Sequence, residues 1–207
     1  GDDLVEILLT AIRQLELALE DGDILVIAQK IVSKAEGRLV ELDGVTPSTE
    51  AIALAQETEK DPRLVQLILD ESTELLRKKP GVLITRHKLG LVGAHAGIDQ
   101  SNIDHGKAGA AALLLPEDPD ATAFHLHNEI SKRCGSHIGI LISDSANRPW
   151  RLGTVGIAIG AAGLYVLDDH RGGTDLYGRE LKATIINRAD SIVSAAMLVM
   201  GETTESI

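Results

Sequence analysis

The hydrophobic period of this chain changes at Pro80-Gly81, and that change limits the fold classes open to it. Ahead of that point apolar residues recur at helical spacing. Leu4, Ile7, Leu8, Ile12, Leu15 and Leu19 mark a helix over residues 2–20, with Asp2 and Asp3 where acids complement the helix dipole. Asp21-Gly22-Asp23 reads as a turn, and residues 24–32 as a buried strand rich in branched side chains. Helices are expected over residues 48–59 and 62–78, Pro62 suiting a first helical turn. Beyond Gly81, short strands and glycine-rich loops take over. Strands are expected over residues 82–86, 89–93, 111–115, 137–143 and 164–167. Helices are expected over 117–133, entered through Pro119, and over 188–200. Helices and strands mix without strict alternation, which predicts an α+β fold with mixed sheets rather than a doubly wound one.

Length and charge narrow the function. At 207 residues, one large domain and two small ones are both open, and such a chain buries roughly 70% of its unfolded surface. The 31 acids against 20 bases give a net charge of -11, which argues against a nucleic-acid partner. Phe124, Trp150, Tyr165 and Tyr177 are too few to stack bases. Cys134 is the only cysteine, so an internal disulfide or multi-cysteine metal site is excluded and a reducing, cytoplasmic setting is expected. The longest apolar runs, 108–115 and 192–200, fall far short of the ~20 residues of a membrane span. No basic stretch followed by an apolar one is visible after Gly1, so no secretory signal is expected.

Familiar nucleotide motifs are missing. The Gly106-Lys107 pair has Ser101 where a phosphate loop needs its first glycine, and there is no GxGxxG, HExxH or GxSxG. Three segments carry the chemistry instead. In AQKIVSKAEGR, Lys30 falls inside the expected strand and Lys34 just beyond it. A buried ammonium needs a partner such as phosphate; the residues alone tip toward the alternative, packed stems with heads in water. In AGIDQSN, Asp99, Ser101 and Asn102 offer oxygen ligands after Gly97, or equally a capped turn. In GILISDSANRPWR, an apolar strand is expected to end at Asp144, with Ser145 adding a hydroxyl suited to Mg²⁺ or Mn²⁺. Arg148 and Arg151 bring guanidiniums nearby for phosphate or carboxylate. An Asp–Arg ion pair holding a turn, with Trp150 in the core, is the competing reading.

The rest of the sequence reads as structural. Gly153, Gly156, Gly160 and Gly163 suit close packing of a small-residue element, and DDHRGGTDLYGREL a surface loop with ion pairs. His125 and His127 point apart on a helix and make a poor metal pair, His95 and His105 are weak substrate candidates, and Cys134 reads as a small packed residue.

KIVSKAEGR, AGIDQSN, LLPEDPDA, SDSANRPWRLGTVGIAIG, DDHRGGTDLYGREL and AAMLVMGE, in this order from near Gly1 to Ile207, resemble the coenzyme F-420:L-glutamate ligase (F-420 γ-glutamyl ligase) family. The resemblance implies a GTP-dependent amide ligase needing Mn²⁺ or Mg²⁺ (two ions) and K⁺. Such an enzyme attaches L-glutamate to a deazaflavin F-420 precursor and can add further γ-linked glutamates. It also implies one catalytic domain over residues 1–207, any subdivision falling near 80 or 116, with two intimately associated subdomains in an intertwined homodimer. Carried onto this chain, Asp99 and Asp144 hold one divalent ion, while Ser145 and Glu202 serve a second. Gln29, Lys30, Lys34 and Asn102 contact GTP, as do Met200, Gly201, Glu202, Thr203, Thr204, Glu205, Ser206 and Ile207. His95, Arg148 and Arg151 are candidates for substrate contact. Gln29 stands for a usual His, Ser145 for Thr, Ala146-Asn147 for Phe-Gly and His95 for Asn, which bears on nucleotide and acceptor preference. The resemblance also implies further segments at both ends, an apolar one ahead of Gly1 touching the nucleotide and an extension after Ile207. Two alternatives stay open: the same chemistry on another carboxylate-bearing cofactor, and a nucleotide- or deazaflavin-binding relative without turnover.

Overall fold

A computed structural model describes residues 2–103, 110–147 and 150–201. In chain order the elements are α1 (Leu4–Gln14), β1 (Ile24–Ala28), α2 (Gln29–Ala35), β2 (Leu39–Glu41), α3 (Thr49–Thr58) and α4 (Pro62–Asp70). Then come β3 (Ser72–Lys79), β4 (Val82–His87), β5 (Val92–Ala94), β6 (Ala111–Leu113) and α5 (Pro119–Cys134). The chain closes with β7 (Gly139–Asn147), β8 (Thr154–Ala162), β9 (Leu167–Asp169), β10 (Ile185–Asn187) and α6 (Arg188–Met200). The fold class is α+β with a mixed sheet. No helix among the described residues is long and apolar enough to cross a membrane.

The residues divide into two compact units. The first is built on Lys30–Glu117 together with residues 150–152; the second takes Asp2–Gln29 and residues 118–147 and 153–201.

In the first unit, β3, β4 and β5 form an antiparallel sheet and β2 pairs with β6. Its core gathers Leu42, Leu54, Val65, Ile68, Leu83 and Leu114. Ser48 caps α3 through the Ala51 N–H, and Asp61 caps α4 with Pro62 at its first position. A polar knot lies beside this core. Glu71, its side chain only 11% exposed, takes Arg38 at 2.6 Å and Lys88 at 3.4 Å. Arg38 also donates to the Leu115 carbonyl at 2.9 Å. His87 Nε2 stands 3.5 Å from Glu71 Oε2, too far for a well-formed hydrogen bond.

In the second unit, β1 runs parallel to β7 and β7 antiparallel to β8. Gly139–Ser143 of β7 is buried throughout, as expected of a central strand covered on both faces. Helices α5 and α6 pack on β8, and the small residues of that strand explain how closely. A Cβ on Gly160 would lie 2.5 Å from the Pro119 carbonyl oxygen, and one on Gly156 would lie 2.7 Å from Val193 Cγ1. The close-packing reading holds for Gly156, Gly160 and Gly163 but not for Gly153, whose Cβ position opens on free space. The reading of the segment after β9 as an ion-paired loop also holds, Arg171 meeting Asp169 at 2.5 Å, while Arg188 at the start of α6 meets Asp168 at 2.9 Å. Hydrogen bonds from Arg171 hold the Asp169 carboxyl down at about 2.

Several boundaries differ from expectation. The α1 helix stops at Gln14, and Glu16 takes a left-handed φ of 54°. The strand expected over 24–32 ends at Ala28, because Gln29, Lys30, Ser33 and Lys34 recur at helical rather than strand spacing. The helix expected over 62–78 ends at Asp70, and its last seven residues, together with Lys79, form β3, paired to β4. The expected strand at 89–93 begins at Val92, and that at 164–167 begins at Leu167. Helix α5 and helix α6 lie where the periodicity put them. Cys134 is exposed rather than packed: the buried stripe Ala123, Leu126, Ile130 runs out as α5 ends at Gly135. Trp150 is 99% exposed on a turn with φ of 56°, so it is not a core residue.

Candidate functional site

In the first unit, one short helix and one loop build a polar cluster. Because α2 is a helix, Lys30 and Lys34 are one turn apart and share a face. The helix is closed by Gly37 at φ 69°, whose N–H donates to Lys34 O, while the Arg38 N–H donates to Ser33 O. That paired pattern fixes where the lysine-bearing turn ends.

The facing loop is held just as firmly. His95, Ala96 and Gly97 all adopt positive φ (55°, 54° and 67°), a costly run that only surrounding packing sustains. Ala96 is buried, and a Cβ on Gly97 would come within 2.7 Å of Leu115 Cδ1. Two residues on, the Asp99 N–H donates to Leu113 O at 3.0 Å and the Leu113 N–H to Asp99 O at 2.8 Å. Asp99 is thus bolted to β6 through its backbone, leaving its carboxylate to the site.

That carboxylate divides its two oxygens. Oδ1 accepts from the Ser101 N–H at 2.7 Å, a local turn of the kind Asp favours. Oδ2 meets Lys30 Nζ at 2.7 Å. The same ammonium donates to Ser101 Oγ at 3.1 Å and Ser101 O at 3.3 Å. Lys34 Nζ donates to Asn102 O at 3.1 Å, Asn102 itself taking φ of 53°. Burial pushes the Asp99 carboxyl up, but hydrogen bonds from Lys30 and Ser101 outweigh it and leave the group below its ordinary range. Three hard oxygens therefore converge on one cationic position, a donor set that suits Mg²⁺ or Mn²⁺ as well as an ammonium.

Asp144 and Ser145 belong to the second unit. The expected strand end at Asp144 is not observed, because β8 goes on pairing and carries β7 to Asn147. What stops near Asp144 is burial: beyond Ser143 the strand alternates between half-buried and exposed residues. A bulge precedes this change, Ile142 pairing with Gly160 but Ser143 with Ala158. Asp144 Oδ1 accepts from the Ser145 N–H at 2.8 Å. Successive strand residues face opposite sides, so the Asp144 carboxylate and Ser145 hydroxyl diverge.

The remaining predicted residues fall in several places. Gln29 is buried at the start of α2. His95 Nε2 reaches Gly81 O at 3.3 Å, and burial, with help from Lys60, lowers its affinity for a proton. Arg151 is exposed in the first unit. Met200 ends α6 and Gly201 caps it with φ of 73°. Arg148, Glu202, Thr203, Thr204, Glu205, Ser206 and Ile207 lie outside the described residues, as does His105. Among the described residues no group of three or more His, Cys, Asp or Glu gathers to hold a metal. Ser101, which the sequence offered as an oxygen ligand, serves both neighbours: its N–H caps the Asp99 carboxylate two residues back and its hydroxyl accepts from Lys30.

Comparison with known proteins agrees with the resemblance. The family model for F420-0:Gamma-glutamyl ligase matches residues 1–207. Coenzyme F420:L-glutamate ligase of Methanopyrus kandleri is 46% identical over 205 residues, 99% of this chain and 78% of that protein. The Methanocaldococcus jannaschii protein of the same name is 47% identical over 189 residues, 91% of this chain and 74% of its own. That of Methanothermobacter thermautotrophicus is 42% identical over 207 residues, covering 100% and 81%. This chain belongs to the F420-0:gamma-glutamyl ligase family.

Proposed function

We propose that the protein is a ligase that joins L-glutamate to the carboxylate of the deazaflavin F-420 precursor at the expense of GTP. The observation that carries this reading is the family match across residues 1–207, with relatives named coenzyme F420:L-glutamate ligase. A carboxylate is a poor acyl donor. The precursor's carboxylate oxygen attacks the γ-phosphorus of GTP, GDP leaves, and an acyl phosphate forms. The glutamate amine then attacks the acyl carbon, phosphate departs, and the amine nitrogen loses a proton. No protein nucleophile is required.

Each residue's part follows from its chemistry. Asp99 and Asp144 supply carboxylate oxygens to divalent ions, and Ser145 and Glu202 add oxygen donors. When bound, Mn²⁺ or Mg²⁺ offsets the charge of the phosphates and of the transferring group. Lys30 and Lys34 add fixed positive charge, which an acidic chain of net charge -11 needs where it gathers anionic substrates. Gln29, Asn102 and residues 200–207 contact the nucleotide; His95, Arg148 and Arg151 orient the acceptor. K⁺ dependence, addition of further γ-linked glutamates and a homodimeric assembly belong to the same reading.

The test is incubation with glutamate-free F-420 precursor, GTP, L-glutamate and Mn²⁺, followed by mass spectrometry. A gain of one or more glutamyl units with GDP release is expected. Absence of product while GTP binds in a Mn²⁺-dependent way would overturn the acceptor assignment.

A further inference from the structure

Lys30 makes more protein contacts than a side chain reserved for a nucleotide needs. An ammonium has three donors, and here Asp99 Oδ2 at 2.7 Å, Ser101 Oγ at 3.1 Å and Ser101 O at 3.3 Å take them. The pair is partly sheltered, with side-chain exposures of 26% for Lys30 and 35% for Asp99. Lys34, one turn along the same helix, binds Asn102 O instead. One lysine thus sits on the candidate metal carboxylate, while the other holds only the backbone next to it.

We propose that Lys30 is a positioning residue that serves as the resident counter-ion of Asp99, and that a divalent cation arriving at Asp99 displaces it. The proposal rests on the reading of Asp99 as a metal ligand. Two cations cannot share one carboxylate oxygen at contact distance without strong repulsion. The loop does not depend on the ammonium for its place, because Asp99 is tied to Leu113 by two backbone hydrogen bonds and Gln100 Nε2 reaches Ala111 O at 3.3 Å. The flexible lysine stem can therefore swing away while the carboxylate stays. Its charge, released from Asp99, is then free for a phosphate. Metal and nucleotide binding are coupled through one side chain, and by linkage each strengthens the other.

Mn²⁺ binding to the nucleotide-free protein, followed by the electron paramagnetic resonance of free Mn²⁺, tests this without turnover. Lys30→Met should bind Mn²⁺ about three- to tenfold tighter than the unsubstituted chain, the worth of a partly screened ion pair. Lys34→Met, which removes the same charge from the same helix face, should change it by about twofold or less. Lys30→Arg keeps the counter-ion and should not tighten binding. Equal tightening in Lys30→Met and Lys34→Met would overturn the proposal in favour of a general charge effect. So would unchanged or weaker binding in Lys30→Met. If that variant does not fold, as judged by circular dichroism, Lys30→Gln carries the same expectation. Asp99→Asn separates the two levels: weaker Mn²⁺ binding there supports the ligand reading whatever Lys30 does. Unchanged binding would sink the ligand reading, and the counter-ion proposal with it.

Discussion

Gly160→Ala is the substitution whose cost can be worked most directly from the structure. Gly160 lies in β8, and its added Cβ would stand 2.5 Å from the Pro119 oxygen, 2.6 Å from the Pro119 carbonyl carbon and 2.8 Å from Pro119 Cβ. Ordinary contact begins near 3.4 Å, so about 0.9 Å has to be opened between β8 and the first turn of α5. Two of the three obstructing atoms are backbone, which cannot rotate aside as a side-chain tip can. Overpacking of this kind costs about 1–3 kcal/mol. Losing the freedom of glycine in the unfolded chain returns roughly 0.5–1 kcal/mol. The expected result is a net loss of about 1–2 kcal/mol, or a fall in melting temperature of about 2–8 °C for a chain of this size. Gly93→Ala is the matched control, since nothing lies within 4 Å of its Cβ position and its backbone is not left-handed. Urea titration followed by far-ultraviolet circular dichroism would measure both. A Gly160→Ala protein as stable as the Gly93→Ala control would refute the claim that β8 is glycine-rich because α5 packs onto its backbone.

Three further outcomes are expected. Arg38→Met leaves the Glu71 carboxylate, 11% exposed, with only Lys88 and the distant His87 ring, and should lower the unfolding free energy by about 2–3 kcal/mol in a urea titration; a loss under about 0.5 kcal/mol would count against this buried pair. Burial pushes His87 below its ordinary 6.5, outweighing the attraction of Glu71. The unfolded chain then binds the proton more readily, so the His87 contribution is full above pH 6.5 and shrinks as pH falls toward the folded value. His87→Gln should flatten that part of a stability–pH profile, and an unchanged slope would remove His87 as its source. Asp144→Asn keeps an acceptor for the Ser145 N–H but loses the charge, so the fold should persist while Mn²⁺-dependent glutamylation drops about a hundredfold or more. Full activity in that variant would show that Asp144 holds no metal.

What the sequence could reveal depended on whether local chemistry or distant pairing decided the matter. Helices α5 and α6 were legible because each has its own stop and start signals: Asp118 before one with Pro119 as its first residue, Asn187 before the other, Gly135 and Gly201 after them. Residues 72–79 were not, since Ser72, Leu75 and Leu76 fit a helical period and only pairing with β4 makes them a strand. The site divides in the same way. Asp99, Ser101 and Asn102 declare themselves by spacing alone, as a turn formed within a few residues does. Ile31 and Val32 continue the branched run of β1, so the sequence extends a strand over Lys30, and the consequences reach beyond the element itself. On a strand, residues four apart also share a face but lie some 13 Å apart along the chain; on a helix they are separated by one turn of about 6 Å. Only the helix brings both ammoniums to one four-residue loop, Lys30 to Asp99 and Ser101 and Lys34 to Asn102. Local backbone geometry therefore decides whether two lysines in this sequence form one cationic site or two unrelated surface charges. The partners that select between those outcomes stand some seventy residues away.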